Sequence, residues 1–233
     1  MTRKTVGRVL NAKATTLRTG VGTRRKMKIL GINCMNHDAA MSVVDYSSGI
    51  GEVLWAAHAE RYSKVKNDHY LNWAIVNEAM TYGPFDKVVY YEKPWLKKTR
   101  QLYAGQWSDA LSYTELPQWH LDNFKIKIDE YVKHHDSHAA AGYFTSPFRE
   151  ATILTVDAIG EWDTVSISTA EKIWIERKET IKYPHSIGIL YSAFTHRCGL
   201  KPAEEEYILM GMAAYGEPKY KEEIYNDFVH QSP

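Results

Sequence analysis

The sequence predicts an α/β protein built as one complete βββαβαβα unit followed by the beginning of a second. Three observations carry that prediction. Short apolar runs of strand type come in two groups of three, at residues 28–60 and 151–180. Each group is followed by a segment with apolar residues at helical spacing. Turn-forming residues separate the runs so closely that neighbouring strands within a group must reverse direction.

The first group opens with "KILGIN" (28–33), continues with "AAMSVVD" (39–45) and, after the turn "YSSGIG", ends in the first part of "EVLWAAHAE" (52–60). Two reversals among three strands make an antiparallel meander. "LNWAIVNEAMTYG" (71–83) is apolar at helical spacing and ends on Gly83, a helix-stop residue. "KVVYYE" (87–92) is a fourth strand, and residues 93–130, rich in aromatics and charges, read as mostly helical with breaks near Pro117. "YVKHH" (131–135) reads as a short strand and "SHAAAGYF" (137–144) as the first turns of a helix.

Then the pattern restarts. "ATILTVD" (151–157), "TVSISTA" (164–170) and "KIWIERKET" (172–180) are three strands. "SIGILYSAFTHRCGL" (186–200) is a helix ended near Gly199, and "EEYILMGMAAYG" (205–216) is another. A duplicated βββαβαβα unit with its site between the halves is the layout of the actin-like ATPase (ribonuclease H-like) superfold. The first half reads as complete and the second as partial, so residues 1–233 are expected to be part of a longer protein.

Composition narrows the function classes. Hydrophobic residues make up 44% and charged residues 24%, an ordinary balance for a globular domain. No apolar run reaches the length of a membrane span. The two cysteines, Cys34 and Cys198, are far apart and form no CxxC pair, which fits a reducing, cytoplasmic setting. The net charge of +1 is unevenly spread. Residues 1–26 hold eight basic side chains and no acidic one, leaving 21 basic against 28 acidic residues in 27–233, a formal −7. That sign excludes general nucleic-acid binding by residues 27–233. The basic stretch 1–26 reads as a disordered leader, a targeting peptide, or sequence upstream of a start at Met27.

The candidate chemistry sits at strand ends. In "HHDSHAAAGYF" (134–144), a helix starting near Asp136 would put His134 and His138 four apart at a strand-to-helix junction, where two imidazoles can meet one ion. His135 would alternate to the other face of its strand, and Asp136 or Ser137 would cap the helix. By itself the HxxxH spacing fits simple packing as well as metal binding. Asp157 adds to it by ending the strand "TILTVD", since ligands gather at the carboxyl ends of strands in doubly wound sheets. Its other reading is a strand-end turn former. Two imidazoles with one carboxylate resemble the ligand set of non-haem iron, with zinc as competitor.

Three further stretches carry candidates. "GINCMNHDAA" (31–40) sets Gly31, Asn33, His37 and Asp38 around a polar loop whose N–H groups can approach a phosphate, or that simply turns a hairpin. "AERYSKVKNDHY" (59–70) packs Arg61, Lys64 and Lys66 densely enough to hold a phosphate, or forms a solvated face. "LMGMAAYG" (209–216) offers Gly211 and Gly216 for close approach to a ligand, or for helix packing and capping. The common phosphate-loop, nucleophile-elbow, zinc-protease and dinucleotide signatures are absent.

Taken together, "ILGINCMNHDAA", "AERYSKVKND", "HHDSHAAAGYF", "ILTVDAIGEWDT" and "EYILMGMAAYGEP", in that order from about Met27 to Pro218, resemble the O-carbamoyltransferases of nodulation-factor, cephamycin and tobramycin type. The resemblance implies an amino-terminal domain of actin-like fold, akin to the threonylcarbamoyl-transferring tRNA-modification proteins. It also implies a second domain, beyond this sequence, that makes carbamoyl-adenylate from carbamoyl phosphate and ATP. The amino-terminal domain would pass the carbamoyl group to a hydroxyl of an acceptor. His134 and His138 match the family's histidine metal ligands and Asp157 its first aspartate ligand. The implied metal is iron(II), with zinc as the lesser candidate and magnesium accompanying ATP; the second aspartate ligand is expected beyond Pro233. His37 matches the histidine near the transfer centre and Lys66 the active-site lysine, while Gly31, Asn33, Arg61 and Gly211 fall in the stretches assigned to the nucleotide. Ile208 departs from the family, where lysine precedes the "MG" pair. The competing readings are an actin-like kinase or ATPase and an inactive metal- or nucleotide-binding fragment.

Overall fold

The computed structural model of the chain describes residues 27–49 and 51–229. The leader expected at residues 1–26 lies outside the described residues. Two sheets are present, as the restarted pattern requires. The first contains β1 (Lys28–Asn33), β2 (Ala40–Asp45), β3 (Glu52–His58), β4 (Lys87–Tyr90) and β5 (Glu130–Tyr131) in the order β3-β2-β1-β4-β5. β1, β2 and β3 are antiparallel neighbours, whereas β4 runs parallel to β1 and β5 parallel to β4. This is the βββαβαβ order that the sequence predicts for the first unit.

Strand alternation decides which face is buried. Leu30 and Ile32 of β1 share a face with their partners Val43 and Met41 of β2, and all four are within 3% of full burial. Against them packs α2 (Trp73–Met80), which follows the short α1 (Glu60–Ser63) and contributes Ile75, Val76 and Ala79. Each of the larger aliphatic side chains among them contributes roughly 1.5–3 kcal/mol when buried. Asn72 starts α2 by accepting from the N–H groups of Ala74 and Ile75. The helix stops at Met80 rather than at Gly83, which is not in the left-handed conformation of a glycine cap. Gly199, by contrast, has φ +79° and follows α7 (Ile187–Arg197) as expected.

Between β4 and β5 the chain forms α3 (Pro94–Tyr103), α4 (Trp107–Leu111) and α5 (Pro117–Leu121). Pro117 opens α5, its fixed φ suiting the first helical position. The largest departure from expectation comes next. β5 is only two residues long, and α6 (His134–Phe144) already begins at His134. Neither Asp136 nor Ser137 caps it: Asp136 pairs with Arg177, and the Ser137 hydroxyl donates to the Tyr91 carbonyl. The second sheet is antiparallel throughout, with β6 (Glu150–Val156), β7 (Asp163–Glu171) and β8 (Trp174–Lys182) in that order, and α6 lies against β6 and β7. After α7 come α8 (Glu206–Ala213) and α9 (Lys221–Phe228). Among the described residues no helix is long and apolar enough to cross a membrane.

Candidate metal centre

Because α6 starts at His134, the two histidines are one helical turn apart on a single element, and their rings lie on the same face. The Nε2 atoms of His134 and His138 are 2.9 Å apart. Asp157, just past the end of β6, places Oδ2 2.8 Å from His134 Nε2 and 3.6 Å from His138 Nε2. Donors held roughly 2.0–2.2 Å from one ion at angles of about 90–110° stand about 2.8–3.6 Å apart, so the three atoms fit a shared metal ion as they are. His135 is fully buried and turned toward β7, its Nδ1 3.0 Å from Ser166 Oγ. It leaves the site by helical rotation, not by strand alternation.

The surroundings hold these donors firmly. Glu92 is buried, with Oε2 3.8 Å from His134 Nδ1, an ion-pair distance too long for a hydrogen bond. At that distance Glu92 acts on the ring by its charge, and His134 Nδ1 has no hydrogen-bond partner among the described residues. Burial raises the Glu92 carboxyl, but His134 and Lys97 outweigh it and hold its pKa below the ordinary value. Burial likewise lowers His134, and the two carboxylates outweigh it, taking the ring up to about 9. Asp157 falls far below the usual carboxylate range, because its hydrogen bond to His134 and the nearby His138 ring overcome its burial.

Several of these partners carry no sequence signal. Glu161, in the β6–β7 turn, accepts from the N–H groups of Lys93 and His134. Gly160 lies where a Cβ would come 3.1 Å from that of His134, and Gly188, at the start of α7, where a Cβ would come 2.6 Å from the Ala158 backbone. Ser186 caps α7 and donates to the Ala158 carbonyl, 2.6 Å away, fixing α7 to the Asp157 turn.

The remaining sequence candidates fall into two sets. The loop between β1 and β2 carries His37, whose Nδ1 is 2.8 Å from Asp38 Oδ2, and is steadied by Asn33 Nδ2 donating to the Asp38 carbonyl. The same loop is tied to the segment after Lys66 by Met35 N–H to His69 and Ala39 N–H to Asp68, at 2.8 and 2.7 Å. Tyr91 approaches it from the metal side: its ring meets His134 edge-on at 5.2 Å and its buried hydroxyl lies beside Asn36. Lys66 Nζ is 3.1 Å from the Tyr207 hydroxyl on α8. The other set stays apart. Arg61 is exposed beside Glu60, Gly211 lies within α8 facing open space, and Gly31 makes room for Ser42 of β2. Among the described residues, Arg61 forms no hydrogen bond or ion pair with the histidine cluster.

Comparison with known proteins bears on the same stretch. Residues 100–232, more than half of the chain and all of the metal centre, match the family model described as Carbamoyltransferase N-terminus. The chain belongs to the carbamoyltransferase family. An uncharacterized protein of Synechocystis is 32% identical over 86% of this chain and 37% of its own length. The nodulation protein NolNO of Sinorhizobium fredii is 25% identical over 84% of this chain and 30% of its own. This carbamoyltransferase chain therefore spans about a third of the length of these curated relatives. Among solved structures, an Aquifex aeolicus PPX-GPPA enzyme matches with a TM-score of 0.39 and 12% identity, covering 78% of this chain and 60% of that one.

Proposed function

We propose that this chain is the amino-terminal part of an O-carbamoyltransferase that moves a carbamoyl group from carbamoyl-adenylate to a hydroxyl of a small-molecule or sugar acceptor. The adenylate would come from carbamoyl phosphate and ATP on a further domain. The observation that carries this reading is the meeting of His134, His138 and Asp157 at one strand end, inside the stretch of carbamoyltransferase sequence. Two imidazoles and a carboxylate suit iron(II) or zinc better than magnesium, which prefers oxygen ligands and retained water. That chemistry favours the transferase over an actin-like kinase or ATPase. A bound ion would supply positive charge opposite the phosphate leaving group.

The chain's own residues supply the rest. Asp38 holds the His37 ring through Nδ1, leaving Nε2 to take the proton of the acceptor hydroxyl. The acceptor oxygen then bonds to the carbamoyl carbon, the bond from that carbon to the phosphate oxygen breaks, and AMP leaves with the electron pair. Lys66, exposed and bonded to the Tyr207 hydroxyl that favours its charged form, is the group proposed to meet the phosphate.

The test supplies preformed carbamoyl-adenylate and an acceptor alcohol, and follows AMP release together with the O-carbamoyl product. His37→Asn is expected to slow transfer by about 10²–10⁴-fold; an unchanged rate would remove His37 from this role. Iron or zinc bound near one per chain and lost in His138→Ala accords with the proposal. ATP hydrolysis with magnesium alone and no carbamoyl transfer would point to the kinase or ATPase instead.

A further inference from the structure

Glu161 is nearly inaccessible, 2% exposed, and lies four residues after Asp157 in the same turn. A single oxygen of its carboxylate, Oε1, accepts two backbone N–H groups. One is that of Lys93, the residue preceding α3, at 2.8 Å; the other is that of His134, the first residue of α6, at 3.1 Å. Neither helix has a side-chain cap of its own, since Lys93 and Lys133 make no capping bond. Glu161 thus fills the capping role for both from a distant part of the chain, with its charge facing two helix N-termini. The geometry is specific to the metal centre. The turn that carries one donor, Asp157, also grips the helix that carries the other two. Lys93 directly follows Glu92, so the same oxygen also sets the residue that backs His134. Gly160 permits this grip, because any Cβ there would stand 3.1 Å from the Cβ of His134.

We propose that Glu161 is a positioning residue of the metal centre: its carboxylate oxygen fixes where α6 begins relative to the β6–β7 turn, so that His134 and His138 meet Asp157. The proposal rests on the metal reading given above. It makes the acceptor oxygen and its reach decisive, not the negative charge. Glu161→Gln keeps an acceptor oxygen at the same reach, whereas Glu161→Asp keeps the charge but withdraws it by one methylene.

The experiment measures zinc and iron(II) affinity of the 233-residue chain by competition with a chromogenic chelator, and amide hydrogen exchange at Lys93 and His134 without metal. Glu161→Gln is expected to bind within about threefold of the parent chain, and Glu161→Asp and Glu161→Ala to bind about 10–100-fold more weakly. Exchange at both amides should quicken in Asp and Ala and stay slow in Gln. Should the Ala variant fail to fold, the ranking of Gln above Asp decides the question. Equal affinities in all variants, or Asp ranking above Gln, would overturn the proposal. If the parent chain holds neither metal, the metal reading fails, and the exchange pattern still decides whether Glu161 sets the start of α6.

Discussion

His134 carries a proton that any metal ion has to displace. Burial works against that proton, but Asp157 at 2.8 Å and Glu92 at 3.8 Å outweigh it and raise the ring to about 9. A raised imidazole contributes stability that is full below its unfolded value, about 6.5, and is lost as pH rises through about 9. The depressed Asp157 contributes above about 4 and loses its share as pH falls below that. The metal-free pair is therefore worth most between about pH 4 and 6.5, whereas metal binding needs the neutral ring. Zinc affinity is expected to rise about tenfold per unit between pH 7 and 8.5; a flat profile would mean that binding displaces no proton from the His134 ring in that range. The two thiols differ in the same physical terms. Burial pushes Cys34 up to about 12, while Cys198 is exposed. A thiol reagent at pH 8 should therefore modify Cys198 in the native chain and reach Cys34 only in denaturant. Prompt reaction of both would contradict the packing under β1.

At the scale of elements, β1 and β6 each open an antiparallel three-strand meander. Leu30, Gly31, Ile32 and Asn33 end the first leading strand, and Leu154, Thr155 and Val156 end the second, with Asp157 next in the chain. The repeat was legible because strand alternation and short turns are local properties, and so was the HxxxH spacing. The start of α6 was not. "YVKHH" carries β-branched and aromatic residues that read as strand, and the group that caps the helix, Glu161, lies 27 residues downstream. Glu92, Glu161 and Gly188 leave no local signal, because each matters only where two distant segments meet. Two glycine substitutions separate these kinds of constraint. At Gly188 a Cβ would meet the backbone of Ala158 at 2.6 Å, which cannot move without shifting Asp157. Gly188→Ala should cost about 1–3 kcal/mol in urea unfolding and weaken zinc binding as well. At Gly31 the obstacle at 2.8 Å is the Ser42 hydroxyl, which can rotate, so Gly31→Ala should cost under about 1 kcal/mol. Equal losses at the two sites would mean that α7 does not press on the Asp157 turn.

Across the whole molecule each sheet is covered by a helix on one face. In the first, the apolar face lies under α2, while Gly31, Ser42 and Ala56 line an open hollow of about 380 Å³. In the second, α6 covers Thr155 and Ser166, and the opposite face carries Leu154, Val156 and Ile181 at 63%, 53% and 50% exposure. Antiparallel pairing sets these residues side by side: Leu154 faces Ile167, and Val165 stands between Val156 and Ile181. A continuous apolar strip on a sheet whose strand β6, among the described residues, pairs on one side only is a template for association. The 233-residue chain is therefore expected to associate with rising concentration, as read by sedimentation velocity. Replacing Leu154 and Val156 together by Thr puts a β-branched side chain at both positions and reduces the exposed apolar area. The double variant should sediment as a smaller species at the same concentration. Its zinc affinity should not change, because Asp157 is held by the turn and α7 rather than by that face. Unchanged association would show that the second sheet's apolar face does not drive it, and would shift attention to the exposed Met210, Met212 and Tyr215 around α8.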